Sequence, residues 1–335
     1  MQKFLVIQTA FIGDVVLATA LLEKLHAYYA DAQIDFLVRK GNEALFAGHP
    51  WLHDVLVWDK KQNKLKNLWT MGRRIRRERY DTVINVQRFA ATGLLTMFSG
   101  AKETIGFDKN PFSRFFTHRI PHVITEGTHE IARNQALISA FTDDRPGRPS
   151  LYPTAEDSEA VRAYKGAPYI TISPASVWFT KQYPGDKWAD LIRMIPPEYK
   201  VFLLGAPSDR ALTQSIVARA GAADIVDLSG ELSFLRSAAL MRDAVMNYVN
   251  DSAPMHFASA VNAPVTAVYC STIPGFGFGP LSDESYIVEI AEPLDCRPCG
   301  LHGYKVCPLQ HFNCARKIHE NQLWETLVNS RRYGN

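Results

Sequence analysis

Three short segments of the chain hold side chains whose types and spacing suit bond-making chemistry. Thr9-Ala10-Phe11-Ile12-Gly13-Asp14 follows an apolar run and opens a stretch with helical spacing. A carboxylate there suits a helix cap, since it favours the positive end of the dipole. It suits equally a general base on the edge of a cleft, taking the proton of an attacking hydroxyl as the new bond forms. Ser173-Pro174-Ala175-Ser176-Val177-Trp178-Phe179-Thr180-Lys181-Gln182-Tyr183-Pro184 is a loop of hydroxyls with one lysine. Such a loop fits an anionic phosphate group, and a solvated loop lysine is the plain alternative. Asn250-Asp251-Ser252-Ala253-Pro254-Met255-His256 supplies helix-capping side chains after another apolar run. The N–H groups behind such a cap can hold phosphate. His256 stands about one helical turn beyond Asp251. A Ser-His-Asp hydrolase is a poor fit, because all three residues fall in one segment without a nucleophile elbow. By itself His256 reads as a hydrogen-bonded structural histidine.

The elements that must position these segments alternate. Phe4–Gln8, Ile34–Val38, Val55–Trp58 and Thr82–Val86 read as strands, with helices at Val15–Tyr29, Leu65–Arg77, Ala90–Phe98 and His129–Phe141. Asp143–Pro153 carries three prolines and a glycine, which predicts a stiff, helix-free connector. Beyond it the pattern resumes. Strands are predicted at Tyr169–Ser173, Val201–Leu204, Ile225–Asp227, Val245–Val249 and Val265–Tyr269. Helices are predicted at Lys187–Ile195, Asp209–Ala220, Phe234–Arg242 and Met255–Val261. Strands alternating with helices predict α/β domains with open parallel sheets, 1–150 and 151–335. Ligands of such sheets bind beyond the carboxyl ends of the strands, which in a two-domain chain predicts a site in the interdomain cleft.

Length and composition agree. The chain has 335 residues, 47% hydrophobic and 21% charged, enough for two cores and unlike a disordered or collagen-like chain. Its net charge of +3 gives no sign of a nucleic-acid partner. That figure conceals a local excess. Lys60–Arg79 holds nine basic residues against the single acid Glu78. Leu65, Leu68, Trp69 and Ile75 interleave with the charges, which suits a helix lying on an anionic surface as well as a solvated face. Lys61, Lys64, Arg73, Arg74 and Arg77 are the candidate surface patch. No stretch is apolar enough to span a membrane, and Asp14 would spoil a signal-peptide core, so a cytoplasmic protein is expected. Four of the five cysteines fall in Cys296-x₂-Cys299-x₇-Cys307-x₆-Cys314, with His302 and His311 between them. A structural zinc site competes here with reduced thiols or disulfides, because the second pair is wider than a usual zinc spacing. The cluster lies outside the three segments above, so a catalytic metal is not expected there.

Taken together, the three segments resemble glycosyltransferase family 9, the ADP-heptose:lipopolysaccharide heptosyltransferases. The resemblance rests on Ile12-Gly13-Asp14 with its helix, on Ser173-Pro174 through Thr180-Lys181 and Tyr183-Pro184, and on Asn250–His256 followed by Ala258 and Ala260. Ala253 stands where the family usually has glycine. Ser271–Gly275, running to Leu281, also resembles a family loop. The resemblance implies a GT-B architecture of two facing Rossmann-like domains, with the acceptor on the first and the nucleotide sugar on the second. The last helix could pack back on the first domain. It implies inverting heptose transfer from ADP-heptose to a lipopolysaccharide inner-core acceptor, with no cofactor or metal required. Asp14 would be the base and Lys181, with Thr180, would neutralise the leaving diphosphate. Asp251, Ser252, Ala253 and His256 would line the donor site, and Asp209 would accept ribose hydroxyls. Gly13 and Arg88 would meet the acceptor. An anionic glycolipid acceptor would bring the enzyme to the cytoplasmic face of the inner membrane. The alternatives are another nucleotide sugar or acceptor on the same fold, and a non-catalytic nucleotide-sugar-binding homologue.

Overall fold

Phe4, Leu5, Val6 and Ile7 are all fully buried, as a central parallel strand covered on both faces requires. They belong to β1 (Lys3–Ile7). The computed structural model describes residues 1–125, 127–221 and 224–334. It divides into two compact units, Met1–Tyr152 and Pro153–Asn335.

In the first unit β1 is followed by α1 (Ile12–Tyr28), β2 (Gln33–Arg39), β3 (Asp54–Trp58), α2 (Lys64–Glu78), β4 (Thr82–Asn85), α3 (Ala90–Met97), β5 (Glu103–Phe107), β6 (His118–Ile120) and α4 (Glu130–Gln135). The sheet order is β3-β2-β1-β4-β5-β6, and every pair is parallel. Two strands here exceed the expected four. β5 has few large apolar residues, and its Gly106 lets the Phe116 ring lie where a Cβ would sit, 2.6 Å away. β6 is a short polar edge. The helix expected across His129–Phe141 is broken. It stops at Gln135, whose side-chain amide donates to Thr142 Oγ1 at 3.0 Å and to the Asp143 carbonyl, and a separate 3₁₀ turn covers Ser139–Phe141.

The proline-rich connector does not hang free; most of it is strapped to α1. Lys24 Nζ binds Asp143 Oδ1 at 2.8 Å, the Ser150 N–H donates to Thr19 Oγ1 at 2.9 Å, and the Tyr152 hydroxyl donates to Glu23 at 2.8 Å. Gly147 presses so close that an added Cβ would stand 2.3 Å from the Ala20 carbonyl oxygen. Because the obstacle is backbone, Gly147→Ala must displace the strap. We expect a loss of about 1–3 kcal/mol, the usual cost of overpacking, read as a lower Tm of the full chain.

The second unit runs α5 (Ala155–Ala160), β7 (Tyr169–Ser173), α6 (Gly185–Met194), β8 (Lys200–Leu203), α7 (Arg210–Ala220), β9 (Ile225–Asp227), α8 (Phe234–Asp243), β10 (Met246–Asn250), α9 (Ala253–Ala260), β11 (Val265–Tyr269), β12 (Ser285–Glu289), α10 (Asn313–Arg316) and α11 (Glu320–Val328). Its parallel sheet is ordered β12-β11-β10-β7-β8-β9. Trp188, Tyr183 and Tyr248 are the largest side chains of its core. The last helix packs on α6 and β12 of this unit. Leu323 and Leu327 are apolar and fully buried beside α6, and the Tyr248 hydroxyl donates to the Leu323 carbonyl at 2.9 Å.

Both sheets reverse their winding between their first and fourth strands, β1 and β4 in one, β7 and β10 in the other. Loops leaving the carboxyl ends of such neighbours diverge and leave a crevice for ligand. The Asp14 segment follows β1 and Arg88 follows β4. The Lys181 segment follows β7 and the Asp251 segment follows β10.

Candidate active site

In the first unit Asp14 lies in the first turn of α1, but it is not the cap. Phe11 occupies the N-cap with extended backbone and makes no side-chain hydrogen bond to the helix. The loop beneath Asp14 is fixed from three sides. Lys60 Nζ donates to the Thr9 carbonyl at 3.0 Å and to Thr9 Oγ1 at 2.6 Å. Asn42 Nδ2 donates to the Ala10 carbonyl at 3.3 Å, and the Gln8 side chain accepts from the Ala10 N–H at 3.2 Å and from Gln87 Nε2. The Arg39 guanidinium lies over the Phe11 ring, 5.0 Å from its centroid.

Asp14 is only half-exposed, and crowding by protein pushes its carboxyl above the usual range. Main-chain hydrogen bonds at Asp14 and Phe11, and the charges of Arg39 and Arg88, pull it back down. A carboxyl raised by burial and flanked by two guanidinium groups that favour its charged form is suited to receive a proton. Glu130, at the start of α4, is raised by burial, opposed by Arg133, and raised further by the negative charge of Asp14. Arg133 Nη2 pairs with Glu130 at 2.7 Å. Burial lowers the pKa of His122, and the charges of Arg88 and Arg133 lower it further. Arg88 is exposed and reaches Asp14, His122 and Glu130 through its field. Lys60 is depressed to about 8, by burial and then by Arg39.

The sequence reading placed Asp14 and Arg88 here and missed Arg39, Lys60 as a loop anchor, His122, Glu130 and Arg133. Position at or just past a strand end would have marked Arg39 and Lys60. Nothing in the sequence linked α4 to Asp14.

The pH dependence follows from these signs. Removing the Arg88 cation withdraws a force that favours the carboxylate, so the pKa of Asp14 rises. In Arg88→Ala the acidic limb of kcat/KM should therefore move to higher pH, while the basic side stays. An acidic limb unmoved or shifted to lower pH would separate Arg88 from Asp14.

In the second unit, Lys181 Nζ pairs with Asp251 Oδ2 at 2.7 Å, and the Thr272 hydroxyl donates to the same oxygen at 2.6 Å. Thr180 is buried. Its Oγ1 accepts from Ser271 Oγ at 3.0 Å and from the Tyr304 N–H at 2.7 Å. The Asn250 side chain joins the two strands' loops, accepting from the Tyr183 N–H at 2.9 Å and donating to the Pro174 carbonyl at 2.7 Å. Arg297 braces the loop after β11. Its Nε donates to the Cys270 carbonyl at 2.8 Å, and its Nη2 donates to the Thr272 carbonyl at 2.7 Å and to Glu289 at 2.5 Å.

The structure thus brings Thr180, Lys181 and Asp251 together, and the expected phosphate lysine already has one carboxylate partner. An ammonium has three N–H donors, so one bond to Asp251 leaves two for phosphate oxygens. Ser252 is the N-cap of α9, but its hydroxyl makes no capping bond there; it donates to the Asn250 carbonyl at 3.4 Å. Ala253 is the first residue of α9, and His256 is buried within that helix. Asp209 is elsewhere, beyond β8. Its carboxylate accepts from the Ala206 N–H at 2.8 Å and from Ser208, so it caps a 3₁₀ turn. Arg297 was not singled out from the sequence, and Asn250 and Ser271 were named there without these bridging roles.

Each of the two units is thus a Rossmann-like parallel sheet with charged side chains at its winding reversal. The family model of glycosyltransferase family 9 (heptosyltransferase) matches residues 68–304, most of the chain. The chain belongs to that family and is a glycosyltransferase. Lipopolysaccharide heptosyltransferase 1 of Pseudomonas aeruginosa is 26% identical over 99% of this chain and 96% of its own. Lipopolysaccharide heptosyltransferase 3 of Escherichia coli is 28% identical over 78% of this chain and 80% of its own. The fold is that of the solved family 9 glycosyltransferase from Veillonella parvula, with a TM-score of 0.84, 21% identity and 98% of both chains covered. It is also that of E. coli ADP-heptose lps heptosyltransferase II, with a TM-score of 0.80, 21% identity and 98% of both chains covered. The expected GT-B class of two Rossmann-like units is therefore correct.

Proposed function

We propose that this glycosyltransferase moves a heptose from ADP-heptose to a lipopolysaccharide inner-core acceptor, with inversion at the anomeric carbon and no metal in the transfer step. The observation that carries the reading is the raised, arginine-flanked carboxyl of Asp14 at the β1–β4 reversal, in a chain of this family. The names of the relatives support the heptose and the lipopolysaccharide. E. coli heptosyltransferase WaaC, solved with ADP and with ADP-2-deoxy-2-fluoro heptose, supports the donor.

In this reading Asp14 takes the acceptor hydroxyl's proton as that oxygen bonds to the anomeric carbon. The bond from that carbon to the diphosphate breaks on the opposite face, and ADP leaves with the electron pair. Lys181, held by Asp251, meets the developing negative charge, and the start of α9 adds the positive end of its dipole. These fixed charges do the work a divalent ion would otherwise do. Gly13 and Arg88 serve the acceptor, and Thr180, Ser252, Ala253 and His256 shape the donor site. Asp209, while capping its turn, keeps acceptor sites on both carboxylate oxygens for ribose hydroxyls.

The test is a donor panel of ADP-, UDP- and GDP-sugars in the presence of a chelator, with delipidated core acceptors and mass spectrometry of the products. The configuration of the new linkage is then read by NMR. Transfer from ADP-heptose with inverted linkage is expected. Transfer from another nucleotide sugar would shift the reading to a different glycosyltransferase, and no transfer with any donor would favour a non-catalytic homologue.

The exposed face of α2 favours association with an anionic bilayer. Leu65 and Trp69 are 83% and 67% exposed beside Arg73 and Arg77, while Met71 and Ile75 face the core. Arg73 lies over the Trp69 ring, 5.6 Å from its centroid. Lys61 and Lys64 are exposed as expected. Arg74 is partly spent on an ion pair with Asp54 at 2.5 Å. Each basic residue near an anionic surface is worth about 1 kcal/mol. Flotation with phosphatidylglycerol vesicles should therefore carry the protein up. Arg73→Glu with Arg77→Glu should abolish that at moderate salt; unchanged flotation would leave α2 an ordinary solvated helix. Among the described residues no helix is long and apolar enough to cross a membrane.

A further inference from the structure

Cys296, Cys299, Cys307 and Cys314 are free thiols, and among the described residues no three histidine, cysteine, aspartate or glutamate side chains are grouped to hold a metal ion. The first unit carries a different feature, on the two loops of its winding reversal. Both loops place a phenylalanine where a helix usually takes a polar residue. Phe11 is the N-cap of α1 and Phe89 is the N-cap of α3, each with extended backbone and no side-chain hydrogen bond to its helix. Serine, threonine, asparagine and aspartate are preferred there, because their oxygen meets an N–H of the first turn. Nor do the rings serve the core, since Phe11 is 59% and Phe89 64% exposed. A single exposed ring is ordinary. Two at matching places call for a common cause. β1 and β4 pair with Ile7 beside Asn85, and each phenylalanine stands four residues beyond its member of that pair.

The two loops are tied to each other and held still. Gln8 Oε1 accepts from the Ala10 N–H at 3.2 Å, and the Gln87 side-chain amide donates to the same oxygen from the β4 loop. Both glutamines are buried. The Phe89 carbonyl accepts from the Gly93 N–H at 3.1 Å, from Thr92 Oγ1 at 2.9 Å and from Asn110 Nδ2 at 3.1 Å. The Phe11 carbonyl accepts from the Val15 N–H at 3.1 Å, and the Arg39 guanidinium rests over the Phe11 ring. The rings thus stand on fixed backbone, so a ligand that uses them finds its surfaces already in place. Cations flank them. Arg88 adjoins Phe89 in the chain, Arg39 stacks on Phe11, and the charges of both reach the Asp14 carboxyl.

We propose that Phe11 and Phe89 are sugar-binding residues of the acceptor subsite, packing on the C–H faces of the acceptor saccharide and so presenting its hydroxyl to Asp14. The inference rests on reading the first unit as the acceptor side with Asp14 as its base. Small-molecule sites are lined by aromatic and apolar side chains, with a few polar groups that fix orientation. A sugar ring carries its hydroxyls at the rim and C–H bonds on its faces, and those hydrogens suit the negative face of an aromatic ring. The two guanidinium groups suit an acid group on the same ligand, a carboxylate or a phosphate, which each can meet with paired N–H bonds. The occupant is therefore a saccharide with an apolar ring face and an acid group. Phenylalanine at these two caps forgoes a helix-capping bond, and contact with substrate is what offsets that loss.

The test uses the full chain with its nucleotide-sugar donor and a delipidated core oligosaccharide as acceptor. Phe11→Ser and Phe89→Ser should each raise the acceptor KM about tenfold or more, the effect of withdrawing a ring that ligand covers. The kcat and the ADP affinity should stay close to those of the unaltered protein, as loss of uniform binding requires. The Tm should hold or rise, because serine is the better cap; a merely structural phenylalanine would move it the other way. Phe11→Tyr and Phe89→Tyr keep the ring and should bring back most of the acceptor affinity that serine loses. An acceptor KM unmoved by both serine variants overturns the subsite, as does a Tm that falls together with kcat and ADP affinity. A KM moved by one ring alone overturns the paired arrangement. Lost flotation on phosphatidylglycerol vesicles with an unchanged acceptor KM would give the rings to the membrane, and a changed sedimentation mass with an unchanged KM would give them to a second copy of the chain; either overturns the subsite. Failure of the functional reading looks different. If the donor is another nucleotide sugar, the same acceptor comparison is made with that donor and the expectation stands. If the unaltered protein transfers to no acceptor, calorimetry with the oligosaccharide alone decides. Weaker binding by the serine variants then supports the subsite, and no binding by the unaltered protein overturns it.

Discussion

Asp14→Asn is expected to lower the transfer rate by about a thousandfold, within the ~10²–10⁴ range that a positioned general base contributes, while ADP affinity stays within a factor of two. Asparagine keeps the shape of the side chain but cannot take the acceptor's proton. The nucleotide contacts proposed for the second unit are left untouched. Stability supplies an independent check. A carboxyl whose folded pKa is raised is harder to ionise in the native protein than in the unfolded chain, so its charge opposes folding above that pKa. Removing the charge should leave the Tm at pH 7 equal to or above that of the unaltered protein. A lost rate with a collapsed Tm would mean that Asp14 is structural. A rate close to normal would end its assignment as the base.

Much of the site was legible because a parallel α/β sheet advertises its ligand-facing loops. Apolar runs for β1, β7 and β10 could be read directly, and the loops after them carried Asp14, Thr180-Lys181 and Asn250-Asp251. What could not be read was convergence. Glu130 and Arg133 come near Asp14 only because α4 packs on α1. Ser271 and Arg297 matter through hydrogen bonds to partners far away in the chain. The misread elements have local causes. β5 owes its place to the Gly106–Phe116 packing rather than to an apolar pattern. β12 is an edge strand, with Ile287 47% exposed, so its signal is weak. The connector was read correctly as irregular and proline-stiffened. Its attachment to α1 depends on Gly147, where the lack of a side chain leaves no mark in a pattern search. Asp209, placed by resemblance, also caps a 3₁₀ turn, a role that its sequence position did not announce.

The buried pair in the second unit permits a sharper separation of stability from chemistry. Lys181 and Asp251 are 14% and 9% exposed, so removing one leaves the other's charge with little water to meet it. Breaking such a pair costs about 3–5 kcal/mol. Lys181→Met should accordingly lower the Tm by several degrees, because the Asp251 carboxylate keeps the Thr272 hydroxyl as a donor but loses its cation. Transfer should fall about 10²–10³-fold, the range for losing a preorganised group that meets developing charge, and ADP should bind more weakly. Asp251→Asn added to Lys181→Met removes the stranded charge. The double variant should regain most of the lost Tm while its transfer rate stays as low as that of the single variant. The coupling between the two changes is then large in stability and small in activity. If the double variant is as unstable as Lys181→Met, the penalty does not come from the Asp251 carboxylate. If it recovers activity along with stability, Lys181 acts only by holding the loop, and the charge on the leaving diphosphate must be met by another group.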